Sequence, residues 1–158
     1  MRKLTRALVM RVGLIAVCLA SSWSWAAEAT HDSIGLFTGV QGNVFIAREG
    51  NPAPRPVNAQ DEVRSQDVIE TQPHSRSKIL LQDDSLLTIG ANSRIDIVEH
   101  RYDSERSQRS TVINLDRGVL RVLLGRAFDG PNSKFEVHTP TAVVSARGSY
   151  FTVWTEEG

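Results

Sequence analysis

Lys134–Trp154 reads KFEVHTPTAVVSARGSYFTVW, and its pattern decides the fold class. Phe135 and Val137 fall on one face of an extended segment, with Glu136 and His138 on the other. That period of two is the alternation of a half-buried strand. Thr139-Pro140 interrupts it, because proline donates no ladder hydrogen bond and drives the preceding residue towards extended geometry. Ala142-Val143-Val144 is small and β-branched enough to predict burial on both faces. Arg147-Gly148-Ser149 breaks the run, and Phe151 and Val153 resume the alternation. A glycine inside a strand pattern marks a bulge or a close backbone approach. The stretch therefore predicts a strand, a bend and a second strand.

Working back from this block, the same grammar recurs. Val40, Val44 and Ile46 share one parity, with Gly42 at an expected bulge. Arg48-Glu49-Gly50-Asn51 predicts a turn, and the alternate prolines Pro52, Pro54 and Pro56 predict a stiff loop rather than a polyproline ligand. Asp67–Thr71 is strand-like. Ser77–Val98 predicts a meander, with Gln82–Ser85 and Gly90–Ser93 as its turns. Glu99–Ser110 has mixed charge without apolar periodicity, which predicts a solvated excursion, either a long loop or the exposed end of a hairpin. Ile113 and Leu115 precede Asp116-Arg117-Gly118, after which Leu120, Val122 and Leu124 share a parity; Gly125–Ser133 reads as a loop. Helical spacing is nowhere sustained after Ala27. The expectation is one all-β domain of short, mostly antiparallel strands, sandwich- or solenoid-like, over residues 39–158. A short polar lead-in occupies 28–38. Glu156-Glu157-Gly158 reads as the start of a turn, which leaves two alternatives: a truncated chain, or Ser149–Trp154 as an edge strand.

Residues 1–27 read as an N-terminal signal helix that directs export. Arg2, Lys3, Arg6 and Arg11 form a positive region, VGLIAVCLA an apolar one, and Ser24-Trp25-Ala26 supplies small residues for cleavage after Ala26. The uncharged run Val12–Ala27 is shorter than the roughly 20 residues of a membrane span, so no stable span is expected after cleavage. Cys18, the single cysteine of the 158 residues, leaves with the signal, so packing without disulfides must hold the exported domain. Cleavage removes four basic and no acidic residues, leaving 18 acidic against 14 basic and a net charge of −4. That balance excludes a general nucleic-acid binder, which needs a basic face to displace counterions.

The pattern F-x-V-x-T-P-x-A-V-V-x-x-R-G-S-x-F-x-V, carried by Phe135–Val153, resembles the C-terminal signature of the FecR domain. The family signature has Arg-Gly-Thr where this chain has Arg147-Gly148-Ser149; serine keeps the hydroxyl. Upstream, Gln66-Asp67 stands where the family carries Gly-Asp, and Asp83-Asp84-Ser85 where it carries Asp-Gly-Ser. The resemblance runs from about Gly39 onwards and implies an all-β module of the bacterial cell envelope. Domains of this type typically lie in the periplasm and relay a receptor's state to a cytoplasmic sigma factor. Only Met1–Arg11 precede the apolar run, too little to hold such a factor, so the resemblance carries the domain and not the whole regulator.

No catalytic constellation emerges from the residues. The G-x-S-x-G motif is absent, and His31, His74, His100 and His138 lack partners at metal-ligand spacing. Asp83-Asp84 lacks the ligand loop of a calcium site and reads as a hydrophilic turn. No catalytic residue, cofactor or metal is assigned. The candidate interaction or structural signature is Thr139, Pro140, Arg147, Gly148, Ser149, Tyr150 and Trp154. Gly148 is expected to permit a bend, with Arg147 and Ser149 satisfying nearby backbone groups; alternatively the arginine pairs with a partner's carboxylate. Of Tyr150, Phe151 and Trp154, at least one is expected to be exposed. The function expected is a periplasmic or secreted, non-enzymatic module that binds an envelope protein through edge-strand pairing, in signalling or regulation. A cell-wall or polysaccharide-binding module is the alternative. Oligomeric state is left open.

Overall fold

The computed structural model describes residues 33–106, 108–125, 133–148 and 150–155. The signal expected over 1–27 and Ser149 of the signature lie outside them. Twelve strands form: β1 (Ser33–Gln41), β2 (Val44–Arg48), β3 (Asn51–Pro56), β4 (Glu62–Arg64), β5 (Val68–Thr71), β6 (Arg76–Leu81), β7 (Leu86–Ile89), β8 (Arg94–Asp103), β9 (Gln108–Leu123), β10 (Lys134–His138), β11 (Val143–Ala146) and β12 (Tyr150–Thr155). Among the described residues there is no helix. The all-β, mostly antiparallel expectation holds.

The long strand β9 organises the topology. Its first half pairs antiparallel with β8 and parallel with β10, and its second half pairs antiparallel with β7 and β12. One limb of the sheet runs β3-β2-β5-β8-β9 and continues to β10 and β11; the other runs β9-β7-β6-β1-β4, with β12 on β9. This mixed order is not the sequential stacking of a solenoid. Between the halves the buried positions switch from Ile113 and Leu115 to Leu120 and Val122, a change of parity. The extra residue sits opposite β8, where Arg94 faces Arg117 but Ile95 faces Leu115. Gly118 makes the turn possible with φ of 91°, and a Cβ there would meet Ser93 Oγ at 2.2 Å. Inward side chains of both limbs then join one core, including Phe37, Ile46, Ile69, Ile79, Leu87, Ile97, Ile113, Val122 and Phe135. Each such side chain contributes about 1.5–3 kcal/mol on leaving water.

Several expectations are corrected. The chain is already a strand at Ser33, six residues before Gly39, and Ile34 and Phe37 are buried. A register shift between Phe37 and Gly39 hides the period of two that would have shown this. The proline stretch is not a loop but the exposed edge strand β3. The meander is half realised: β6 and β7 form a hairpin, but β7 pairs next with β9 while β8 pairs with β5, so Gly90–Ser93 carries the chain from one limb to the other. Ala142 and Val143 are exposed, Val143 by 62%, rather than buried on both faces. The reason is position: among the described residues β11 pairs with β10 alone, which leaves it at an edge.

The charged stretch Glu99–Ser110 is the end of the β8–β9 hairpin, yet it holds a buried polar cluster. Arg109 Nε lies 2.8 Å from Asp83 Oδ2, with both side chains fully buried. Arg109 also donates to Asp83 O at 3.1 Å, and its guanidinium stands 5.5 Å from the Tyr102 ring. Asp83 accepts from Ser85 N and Ser85 Oγ. The turn expected to be merely hydrophilic thus anchors the second limb to the first half of β9.

Candidate interaction site

Thr139 and Pro140 build the turn between β10 and β11. Thr139 N donates to Ala142 O at 2.8 Å, and Thr139 Oγ1 accepts from Ala142 N at 3.0 Å. The hydroxyl closes a tight loop in which Pro140 sets φ for its second position. Arg147 and Gly148 lie in the bend where the chain leaves β11 for β12, and both are exposed. A Cβ on Gly148 would meet nothing within 4 Å, and its φ lies outside the left-handed region. Among the described residues, no hydrogen bond or ion pair joins Arg147. Gly148 thus stands in a bend, and no described backbone group is held by the Arg147 side chain.

Tyr150 and Trp154 stand on the outer face of β12, exposed by 60% and 64%, while Val153 is buried and Phe151 packs edge-on against Phe135 with centroids 6.1 Å apart. The expectation of an exposed aromatic is met twice. The structure brings Pro140 and Trp154 together: with Asp116, Thr141 and Thr155 they line a concavity of about 420 Å³. Tyr150 borders a separate groove of about 230 Å³ with Lys78, Leu86, Arg121 and Leu123. Arg147 and Gly148 line neither.

The backbone of β12 matters as much as its side chains. β12 pairs with β9 through Tyr150↔Leu123 to Thr155↔Gly118 and with no other strand among the described residues. On the far side of β9, Val119 O accepts from Gly90 N at 2.9 Å. In an antiparallel ladder successive residues point their hydrogen-bonding groups to opposite sides. Val119, Arg121 and Leu123 thus face β7, and Leu120 and Val122 face β12. Their partners Val153 and Phe151 close that ladder, so the N–H and C=O groups of Tyr150, Thr152 and Trp154 face the open edge.

Sequence reasoning missed the cation row behind this edge. Lys78, Thr88, Arg121 and Thr152 are consecutive partners across β6, β7, β9 and β12. Among the described residues Lys78 and Arg121 make no ion pair. The signal is visible only once register is known. No group of three or more His, Cys, Asp or Glu among the described residues could hold a metal ion. No described helix is long and apolar enough to cross a membrane.

Fold and site define an all-β module in which one edge of β12 has no partner strand among the described residues. The family model described as FecR protein matches residues 67–158, more than half of the chain, and the chain belongs to that family. No curated protein and no solved structure matches it.

Proposed function

We propose that this protein is an exported, non-enzymatic FecR-family module that binds another protein of the bacterial envelope by adding that partner's strand to β12. Family membership supports an envelope role linked to signalling. The observation that carries the binding mode is the open edge of Tyr150, Thr152 and Trp154, whose backbone groups have no described partner strand. The exposed Arg147-Gly148 bend and the Pro140 turn flank this edge and extend the contact surface. The export signal over 1–27 and cleavage after Ala26 fit a periplasmic or secreted location.

The test is capture from envelope extract by wild type and by Thr152→Pro, both checked by circular dichroism. Proline removes a donor that faces the edge and leaves the Phe151 and Val153 ladder to β9 in place. A protein held by wild type and lost with the variant supports the reading; equal capture by both sinks it. A second reading rests on Tyr150 and Trp154 sharing one exposed face, the type of aromatic pair on which sugar rings stack. It predicts retention on polysaccharide that Trp154→Ala abolishes and Thr152→Pro spares.

A further inference from the structure

The outer face of β12 has a gap in it. Tyr150 and Trp154 are large and exposed, and the short Thr152 stands between them. Behind Thr152, in the same row, is the exposed Arg121, followed by Thr88 and Lys78. Arg76 lies one row further along β6. A strand added to β12 would sit about 10 Å from β9, two strand spacings away. Its side chain opposite Thr152 would then meet the long guanidinium of Arg121 reaching over a threonine. Side chains opposite Tyr150 and Trp154 would meet rings. The row through Tyr150 continues into Leu123, Leu86, Leu80 and Leu36, with Leu123 exposed by 48%.

Resting on the strand-pairing reading above, we infer that the edge selects a strand carrying a carboxylate opposite Thr152, with apolar residues opposite Tyr150 and Trp154. Charge complementarity fixes the acid: Arg121 and Lys78 have no carboxylate partner among the described residues, whereas Arg94 on the other limb is paired with both Glu70 and Asp116. The same charge disfavours a second copy as the occupant. β12 reads YFTVWT and carries no carboxylate, so a second copy paired edge to edge would offer Arg121 no acid.

Two short synthetic strands test this, identical except for Glu or Lys at the central outward position between two leucines. Binding to the full chain, to Arg121→Glu and to Thr152→Pro is read by fluorescence anisotropy at low salt. The Glu strand is expected to bind wild type about three- to fivefold more tightly than the Lys strand, as for a partly exposed ion pair. Arg121→Glu should reverse the order, and Thr152→Pro should abolish both. Equal affinity for the two strands, with loss in Thr152→Pro, overturns the carboxylate selection and leaves edge pairing standing. Binding that survives Thr152→Pro, or no binding of either strand, overturns edge pairing and the selection with it.

Discussion

The edges at β3 and β12 are treated in opposite ways. On β3, Val57 N donates to Val44 O at 3.0 Å, so that side of the strand faces β2. By alternation Pro56 and Pro54 turn their ring nitrogens outward, where a donor would otherwise invite another strand. Pro54 and Pro56 thus close that edge chemically, although every residue of the strand is exposed. On β12 the outward positions are Tyr150, Thr152 and Trp154, none a proline and none facing another described strand. The outer faces differ likewise. Around β5, β8 and β9 the charges are neutralised in pairs, Glu70 holding both Arg94 and Arg117, while the face beside β12 keeps its cations open. One edge is built against pairing and the other is left ready for it.

The largest effect is expected where the two limbs are tied together. Arg109 belongs to the half of β9 that pairs with β8, and Asp83 to the β6–β7 turn of the limb that carries β12. Arg109→Leu strands the Asp83 carboxylate in a dry site, and about 3–5 kcal/mol of stability should be lost. Asp83→Asn with Arg109→Leu should recover part of that loss, since the uncompensated charge is gone. Urea denaturation of the three proteins decides it. A single variant as stable as wild type would mean that the limbs, and the edges they carry, do not depend on this pair.

Opening the closed edge is the direct way to break the comparison. Pro54→Thr with Pro56→Thr restores two outward donors on β3. Self-association should then appear by sedimentation or light scattering where wild type shows none through that edge, with the thermal midpoint shifted little. If the variant behaves as wild type does, proline is not what keeps β3 unpaired, and the contrast with β12 loses its chemical basis.

A smaller effect follows from His100, which is buried beside the same cluster with Nδ1 2.9 Å from Thr111 Oγ1. Burial lowers its pKa from the ordinary 6.5; Asp83 opposes that shift and Arg109 adds to it. Because the unfolded chain takes up this proton more readily, the contribution is complete above about pH 6.5 and is lost as pH falls through the folded value. The urea midpoint should therefore drop between about pH 7.5 and about pH 5.5, and His100→Gln should flatten that slope. An unchanged slope in the variant would place the pH dependence elsewhere in the cluster.

How much of this was legible in the sequence depends on where each partner lies. Phe135, Val137, Phe151 and Val153 announce their strands because alternation is local, and the exposed aromatics of β12 follow from it. Arg109 could not be read: it sits in a run of charges, and its partner Asp83 is 26 positions away in a turn of ordinary appearance. The edge was legible in outline, as one of the two alternatives for Ser149–Trp154. The direction of its N–H groups and the cations behind it required the register of β7, β9 and β12. The prolines misled because their outward orientation, not their number, makes them compatible with a strand.

The smallest expected effect lies in two turns between strands. Gln66 and Asp84 occupy the two positions where the family pattern carries glycine, and their φ angles are 68° and 61°. The turn type is therefore kept and a side chain is held in the left-handed region, which costs a residue other than glycine about 1–2 kcal/mol. Glycine relieves this but loses more freedom on folding, so Gln66→Gly should gain only about 0.5–1 kcal/mol. Asp84→Gly should gain less, because aspartate tolerates this conformation better. Neither change touches β12, so peptide binding at the edge should stay at its wild-type value while the urea midpoint rises. A change in binding of the same size as the change in stability would mean that the edge is only as ordered as the domain beneath it. Constant binding would make β12 a preformed template.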